Sequence, residues 1–154
     1  MRKMLLSFKP EVYEKIKSGK KIFEHRRNFP DEPIMAYMYV SAPVKAITGI
    51  VYLGKRHLLS DWHEEFKGDK DAVARIEKYQ ESYRYAMEID EFQETTEIFL
   101  DDLRRDMPGF YAPQMYIYLD GTELLDYIEN LVIYKNINIK HSFSLITSDE
   151  VCIH

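Results

Sequence analysis

Apolar positions along the chain fall in short runs, and the spacing within each run separates strands from helices. Met4–Phe8 reads as a short buried strand. Pro10 suits the first turn of a helix, where its missing N–H would have no partner in any case. Val12 and Ile16 share one face of that helix, and Gly19 stops it by tolerating a left-handed cap. Ile22 and Phe23 begin an extended stretch that leads into His25-Arg26-Arg27. Ile34–Val40 and Ala46–Leu53 are the clearest strands, with a turn at Pro43 between them; such runs suit strands covered on both faces or a closed barrel. Asp61–Phe66 reads as a short helix with Asp61 as its cap and Glu64 three residues on. Val73, Ile76, Tyr79 and Tyr83 carry the stripe of the next helix.

From Asp69 to Met107 there is neither glycine nor proline, which invites one long helix. Tyr85, Met87 and Ile89 nevertheless alternate with Ala86, Glu88 and Asp90, the period of a strand. The pattern predicts a strand over Tyr83–Phe92, then a short helix through Phe99 and Leu103. Pro108-Gly109 and Pro113 bracket a loop, Met115–Leu119 is a strand, and Thr122–Glu129 is a capped helix. The β-branched stretches Leu131–Ile139 and Phe143–Thr147 are expected to pair. Strands mixed with single helices, without a regular βαβ rhythm, make the class α+β.

Composition agrees with a folded globule: 154 residues, 45% hydrophobic and 31% charged, a size that suits one domain. Twelve tyrosines and eight phenylalanines against one tryptophan favour half-buried strands. The lone Cys152 cannot form an internal disulfide, and Met4-Leu5-Leu6 is too short for a signal-peptide core or a membrane span. A cytoplasmic protein with no membrane association is the expectation. Charge is unevenly spread: residues 1–57 hold 12 Lys/Arg and 5 Asp/Glu, residues 58–108 hold 7 and 15, and residues 109–154 hold 2 and 6. A basic first third can present an anion-binding face on an acidic protein, or can simply be neutralised by the rest of the fold. The acidic run Glu88–Glu97 reads as a solvated edge.

Residues 19–26, Gly19-Lys20-Lys21-Ile22-Phe23-Glu24-His25-Arg26, match the pattern G-x-K-x-x-E-x-R. Around it stand Ser7-Phe8-Lys9-Pro10-Glu11, Tyr39-Val40-Ser41-Ala42-Pro43-Val44-Lys45, Ile47-Thr48-Gly49, Tyr85-Ala86-Met87-Glu88-Ile89 and Ala112-Pro113-Gln114-Met115-Tyr116. In this order the blocks resemble the ASCH domains, a branch of the PUA-like superfamily, over residues 4–119. The resemblance implies a small, strongly bent β-barrel flanked by short helices, with a cleft where the signature residues meet. Residues 1–119 would form that domain, and residues 120–154 a C-terminal helix and strand extension packed on it. Members of the branch are mostly inferred to bind RNA; one lineage deacylates modified nucleosides, and some are reported to cleave RNA.

The expected function is binding of RNA or a nucleotide-like ligand in a basic cleft, without a cofactor. Its candidate residues are Lys9, Lys21, Glu24, Arg26, Arg27, Ser41, Lys45 and Gln114. Lys9, Arg26, Arg27 and Lys45 would meet phosphates, Ser41 and Gln114 a base edge, and Tyr37 or Tyr39 would stack on a base. By resemblance Lys21 stands where the deacylating lineage has its base, and Glu24 stands where that lineage has a threonine nucleophile. A carboxylate beside the lysine is expected to keep it protonated, and it supplies no hydroxyl for an acyl intermediate. Lys21 and Glu24 therefore remain candidates for a hydrolase acting on a modified nucleoside or RNA, with Glu24 activating water. Strand alternation puts Glu24 and Arg26 on one face and Lys21 on the other unless the strand bulges. A protein-interaction module using the acidic middle and the extension is a third reading, and a β-rich extension suits pairing into a homodimer. No metal is expected: His57, Asp61, His63 and Glu64 lack ligand spacing, and Cys152-Ile153-His154 is no better.

Overall fold

In the computed structural model, which describes residues 1–154, short helices interrupt the strands, two of them in succession between the fourth and fifth strands. The order is β1 (Arg2–Phe8), α1 (Pro10–Lys17), β2 (Phe23–Arg26), β3 (Ile34–Val40), β4 (Ala46–Leu58), α2 (Leu59–Glu65), α3 (Lys70–Gln80), β5 (Tyr85–Phe99), α4 (Leu100–Asp106), β6 (Tyr116–Tyr118), α5 (Glu123–Leu131) and β7 (Tyr134–Lys140), with a 3-10 turn at Ser148–Glu150. One seven-stranded sheet runs β2-β5-β4-β3-β1-β6, curled into a half-barrel. β2 and β7 share an edge of β5, β2 against Tyr85–Glu88 and β7 against Glu91–Thr95. Only β1 and β3 are parallel, in register from Arg2↔Ile34 to Phe8↔Val40. The class is α+β.

Alternation along the strands sorts side chains into separate cores. Met4, Leu6, Ile34, Ala36, Met38 and Phe92 bury one face of the sheet against Tyr13 and Ile16 of α1. Leu5, Tyr37, Tyr39, Ile47 and Ile50 bury the other against Leu103 of α4 and Leu125 and Ile128 of α5. A third cluster joins Phe23, Leu59, Trp62 and Ile76 to Val151 and Cys152. Helix starts follow local chemistry: Pro10 opens α1, Asp69 accepts from the amides of Asp71 and Ala72 at α3, and Thr122 accepts from Leu125 N at α5.

Four sequence expectations need correction. β5 does not end near Phe92 but runs to Phe99, because Thr95, Thr96 and Ile98 continue the β-branched pattern and β4 pairs with it as far as Phe99. Its acidic residues are therefore not an edge: Glu88 meets His57, Glu91 meets Asn138, and Glu94 meets Lys17 at 2.8 Å. Asp61 lies in the first turn of α2, whose cap is Leu58 with no side-chain bond. Phe143–Thr147 makes no strand, since its apolar residues Phe143 and Ile146 pack onto the third cluster instead of facing a partner strand. No helix is long and apolar enough to cross a membrane.

Candidate functional site

The curl of the sheet brings terminal strand β2 back beside β1, and Arg26 joins them. Its Nη2 donates to the Ser7 backbone oxygen at 2.8 Å, its guanidinium lies over the Phe8 ring at 5.1 Å, and its Nε donates to Glu24 Oε2 at 2.9 Å. Glu24 Oε1 is 3.6 Å from Lys21 Nζ. Lys21 Nζ donates to the His154 backbone oxygen at 2.8 Å and lies 3.3 Å from His25 Nδ1. Lys21, Glu24 and His25 are only 5%, 4% and 6% exposed. Lys21 does not obey strand alternation, because β2 begins at Phe23. Gly19, at φ 83°, turns the chain out of α1, and Lys21 N then bonds the Lys15 oxygen. From that turn Lys21 reaches residues of both β2 faces.

Burial lowers the Lys21 pKa from its ordinary 10.5, and the attraction of Glu24 only partly offsets this. Glu24 favours the protonated lysine, as its place beside Lys21 suggests, but desolvation outweighs an ion pair 3.6 Å long whose carboxylate is also held by Arg26. Burial, then the Lys21 charge, holds His25 well below its ordinary 6.5, so its ring is neutral. With Nδ1 accepting from the ammonium, the proton belongs on Nε2, which has no partner. Tyr79 and Tyr83 wall the ring in, at 4.8 and 5.9 Å between centroids.

A buried neutral histidine makes stability depend on pH. Below about 6.5 the unfolded chain takes up a proton that the folded His25 refuses, so stability falls as pH drops from there toward the lowered folded value. Urea unfolding of the wild type and of His25→Phe at pH 7.5 and 5.5 checks this. The variant is expected to lose less stability on acidification, keeping a residual slope from His141 and His154, which shift the same way.

Several other candidates gather at the end of β1. Ser41 N bonds the Phe8 oxygen, Ser7 N bonds the Met115 oxygen, and Ser7 Oγ donates to the Pro113 oxygen. Arg26, Ser41 and the Pro113–Met115 turn that carries Gln114 thus converge on Ser7 and Phe8. Lys45, at φ 51°, ends the turn after Ser41, and Arg27 leans toward the Ser82 oxygen. Lys9, Arg27 and Lys45 are exposed and have no carboxylate within 4.0 Å. Much of the remaining basic third is neutralised: Arg2 by Asp120, Lys3 by Glu129, Lys17 by Glu94 and Arg56 by Asp31. Tyr37 and Tyr39 are core residues, 2% and 4% exposed, and offer no stacking face. Sequence reasoning gave none of Ser7, His25, Tyr79, Tyr83 and His154 a place in the site: Ser7 and His25 stood only within matched blocks, Tyr79 and Tyr83 as a helix stripe, and His154 as a rejected metal ligand. Only the apolar Val151-Cys152 next to His154 hinted that this segment is buried.

No three His, Cys, Asp or Glu side chains converge as metal ligands would. His57 bonds Glu88 at 2.8 Å and stacks on Trp62, while His63 lies 3.7 Å from Glu77. A void of about 10 Å³ beside His25, walled by Lys20, Phe23, Cys152 and His154, holds one water at most. A groove of about 520 Å³ lies apart from these residues, on the α5 face of the sheet, between Lys3, Tyr37, Tyr52, Glu129 and Tyr134.

No protein-family model and no curated protein matches the sequence. Solved structures do. The ASCH protein of Zymomonas mobilis is 22% identical, with a TM-score of 0.63 over 86% of this chain and 96% of that one. Two single-residue variants of it superpose with TM-scores of 0.64 and 0.62, at 22% and 23% identity. One of these matches spans 86% of this chain and all of the other, and the second spans 84% and 96%. The curled sheet, the short helices around it and this likeness agree: the chain has the fold of an ASCH domain.

Proposed function

We propose that the chain binds RNA or a nucleotide-like ligand at the end of β1, where Arg26, Ser41 and Gln114 converge. The observation that carries the reading is the group of exposed, unpaired cations Lys9, Arg27 and Lys45 flanking these polar residues. Cations without carboxylate partners are free to replace the counterions of phosphates, and the uncharged Ser41 and Gln114 suit a base edge. Arg26 is held by Glu24 and Ser7, so its guanidinium is fixed rather than free to follow a strand.

Titration of a fluorescent octauridylate at several salt concentrations tests the reading. Affinity is expected to fall as salt rises, and removing all three cations as Lys9→Gln, Arg27→Gln and Lys45→Gln should lower the slope of log K against log salt by about 2. These residues are exposed, so the triple variant should fold normally. Binding that ignores salt, or a triple variant that binds as the wild type does, would overturn it.

One observation favours a second reading, a hydrolase of a modified nucleoside or RNA: burial lowers the Lys21 pKa, so its amine gives up its proton more readily than that of an ordinary lysine and is then free to act as a base. Product formation that vanishes in Lys21→Met would support it, and turnover that survives would dismiss it.

A further inference from the structure

Residues 142–154 make no backbone hydrogen bond to the rest of the fold; the last such bond is His141 N to the Asp90 oxygen. Side chains hold the segment instead. Arg75 of α3 donates to the Ser148 oxygen at 2.6 Å and to the Val151 oxygen at 3.3 Å, and Ser148 Oγ donates to Asp69 at 2.7 Å. Val151 and Cys152 bury themselves on the third cluster, and Cys152 sits at φ 56°, a backbone conformation that non-glycine residues rarely adopt. At its far end the segment places the His154 oxygen on Lys21 Nζ. His25 Nε2 beneath it is buried and unpartnered, beside a void for one water.

We infer that residues 142–154 are a lid over Lys21 and His25, latched by Arg75 and Asp69, whose His154 oxygen occupies the position of an acceptor oxygen on the ligand. The inference rests on the proposed ligand site reaching from Arg26 to Glu24 and Lys21, both already counted among its candidates. A segment held by side chains alone opens at lower free energy than one stitched into a sheet, because lifting it breaks no ladder bonds and uncovers only the edge of the third cluster under Phe143, Ile146, Val151 and Cys152. Once it lifts, Lys21 Nζ loses the His154 oxygen and faces solvent, and a base carbonyl or phosphate oxygen can accept from the ammonium in its place. The closed lid therefore lowers apparent affinity by the fraction of molecules that are open.

Acetylation of Lys21 by a water-soluble ester, followed by peptide mass spectrometry, reads the lid without any ligand, and exposed Lys20 serves as the internal control. In the full-length protein Lys21 should label more slowly than Lys20, at a rate that rises with urea far less steeply than global unfolding does, since local opening exposes only a small part of the buried surface. Arg75→Gln should speed Lys21 labelling at least fivefold with Lys20 unaffected, and Ser148→Ala should do so to a lesser degree. Should Arg75→Gln fold poorly, Ser148→Ala alone decides. Labelling of Lys21 that rises with urea as global unfolding does, or that is unchanged in the latch variants, overturns the lid. Octauridylate affinity should rise with the labelling rate in the same variants. If the oligonucleotide binds but its affinity stays constant, the lid does not compete with it and the inference fails. If the oligonucleotide binds none of the proteins, the proposed function fails, and the labelling still judges the lid.

Discussion

Replacing Glu24 by alanine is expected to destabilise the fold by about 3–5 kcal/mol, the cost of leaving buried charges without their partner. Glu24 is the only carboxylate between two cations, with Oε1 3.6 Å from Lys21 Nζ and Oε2 2.8 Å from Arg26 Nη2. Without it two ammonium and guanidinium charges face each other in a site sealed by β2, β1 and residues 142–154. The loss spreads, because Arg26 is also the link from β2 to the Ser7 oxygen of β1. Urea unfolding should show a lower midpoint with an unchanged slope. Glu24→Gln keeps the shape and an acceptor for Arg26, so its loss should be smaller. Lys21→Met with Glu24→Leu and Arg26→Met should recover much of the stability, since an apolar replacement of a whole buried network is often neutral or better. Recovery of stability without recovery of ligand binding would mean that the charges serve the ligand rather than the fold. A loss below about 1 kcal/mol for Glu24→Ala would show that water reaches the cluster.

Phe92→Ala should cost a similar amount, about 3–5 kcal/mol, for a different reason. Its ring is fully buried at the centre of the sheet and meets Tyr13 of α1 edge-on at 5.7 Å. The same ring covers Gly49 on β4 so closely that a Cβ there would stand 2.9 Å from Phe92 Cε1 and 3.2 Å from the Gln93 oxygen. Gly49→Ala in the wild type is therefore an overpacking change costing about 1–3 kcal/mol. With the ring removed, most of that clash disappears, and the two substitutions should be clearly non-additive. A double-mutant cycle in urea measures the coupling. Strict additivity would mean that the clash at Gly49 comes from the backbone of β5 alone.

The glycine of the I-x-G block thus has a physical reason, a strand crossing under an aromatic ring, that a pattern alone does not supply. The same contrast runs through the site. Gly19, Lys21, Glu24 and Arg26 stand out in the sequence by their spacing, but the reason they cluster is that β2 starts only at Phe23, leaving Lys21 on a turn free to reach both faces. The ion pair of Lys21 with Glu24 is visible from neighbours in sequence, whereas the desolvation that outweighs it depends on everything packed around them. His25 is hidden in the same way, since a histidine between a glutamate and an arginine gives no sign that Tyr79 at the end of α3 and Tyr83 just beyond it will seal it in.

Local patterns by themselves determined most elements of this protein. Runs of apolar residues set β1, β3 and β4, Pro10 and Gly19 bound α1, and Thr122 capped α5, because each choice depends on neighbours within a few positions. Tertiary structure alone decided what lies far apart in the chain. It carried β5 to Phe99 by pairing it with β4, drew the acidic middle onto basic partners, and left Phe143–Thr147 packed on a cluster instead of paired. It also set Arg26 against Ser7 and the His154 oxygen on Lys21, 133 residues away. Burial and charge are sums over all neighbours in space, and the curl of one sheet chose those neighbours.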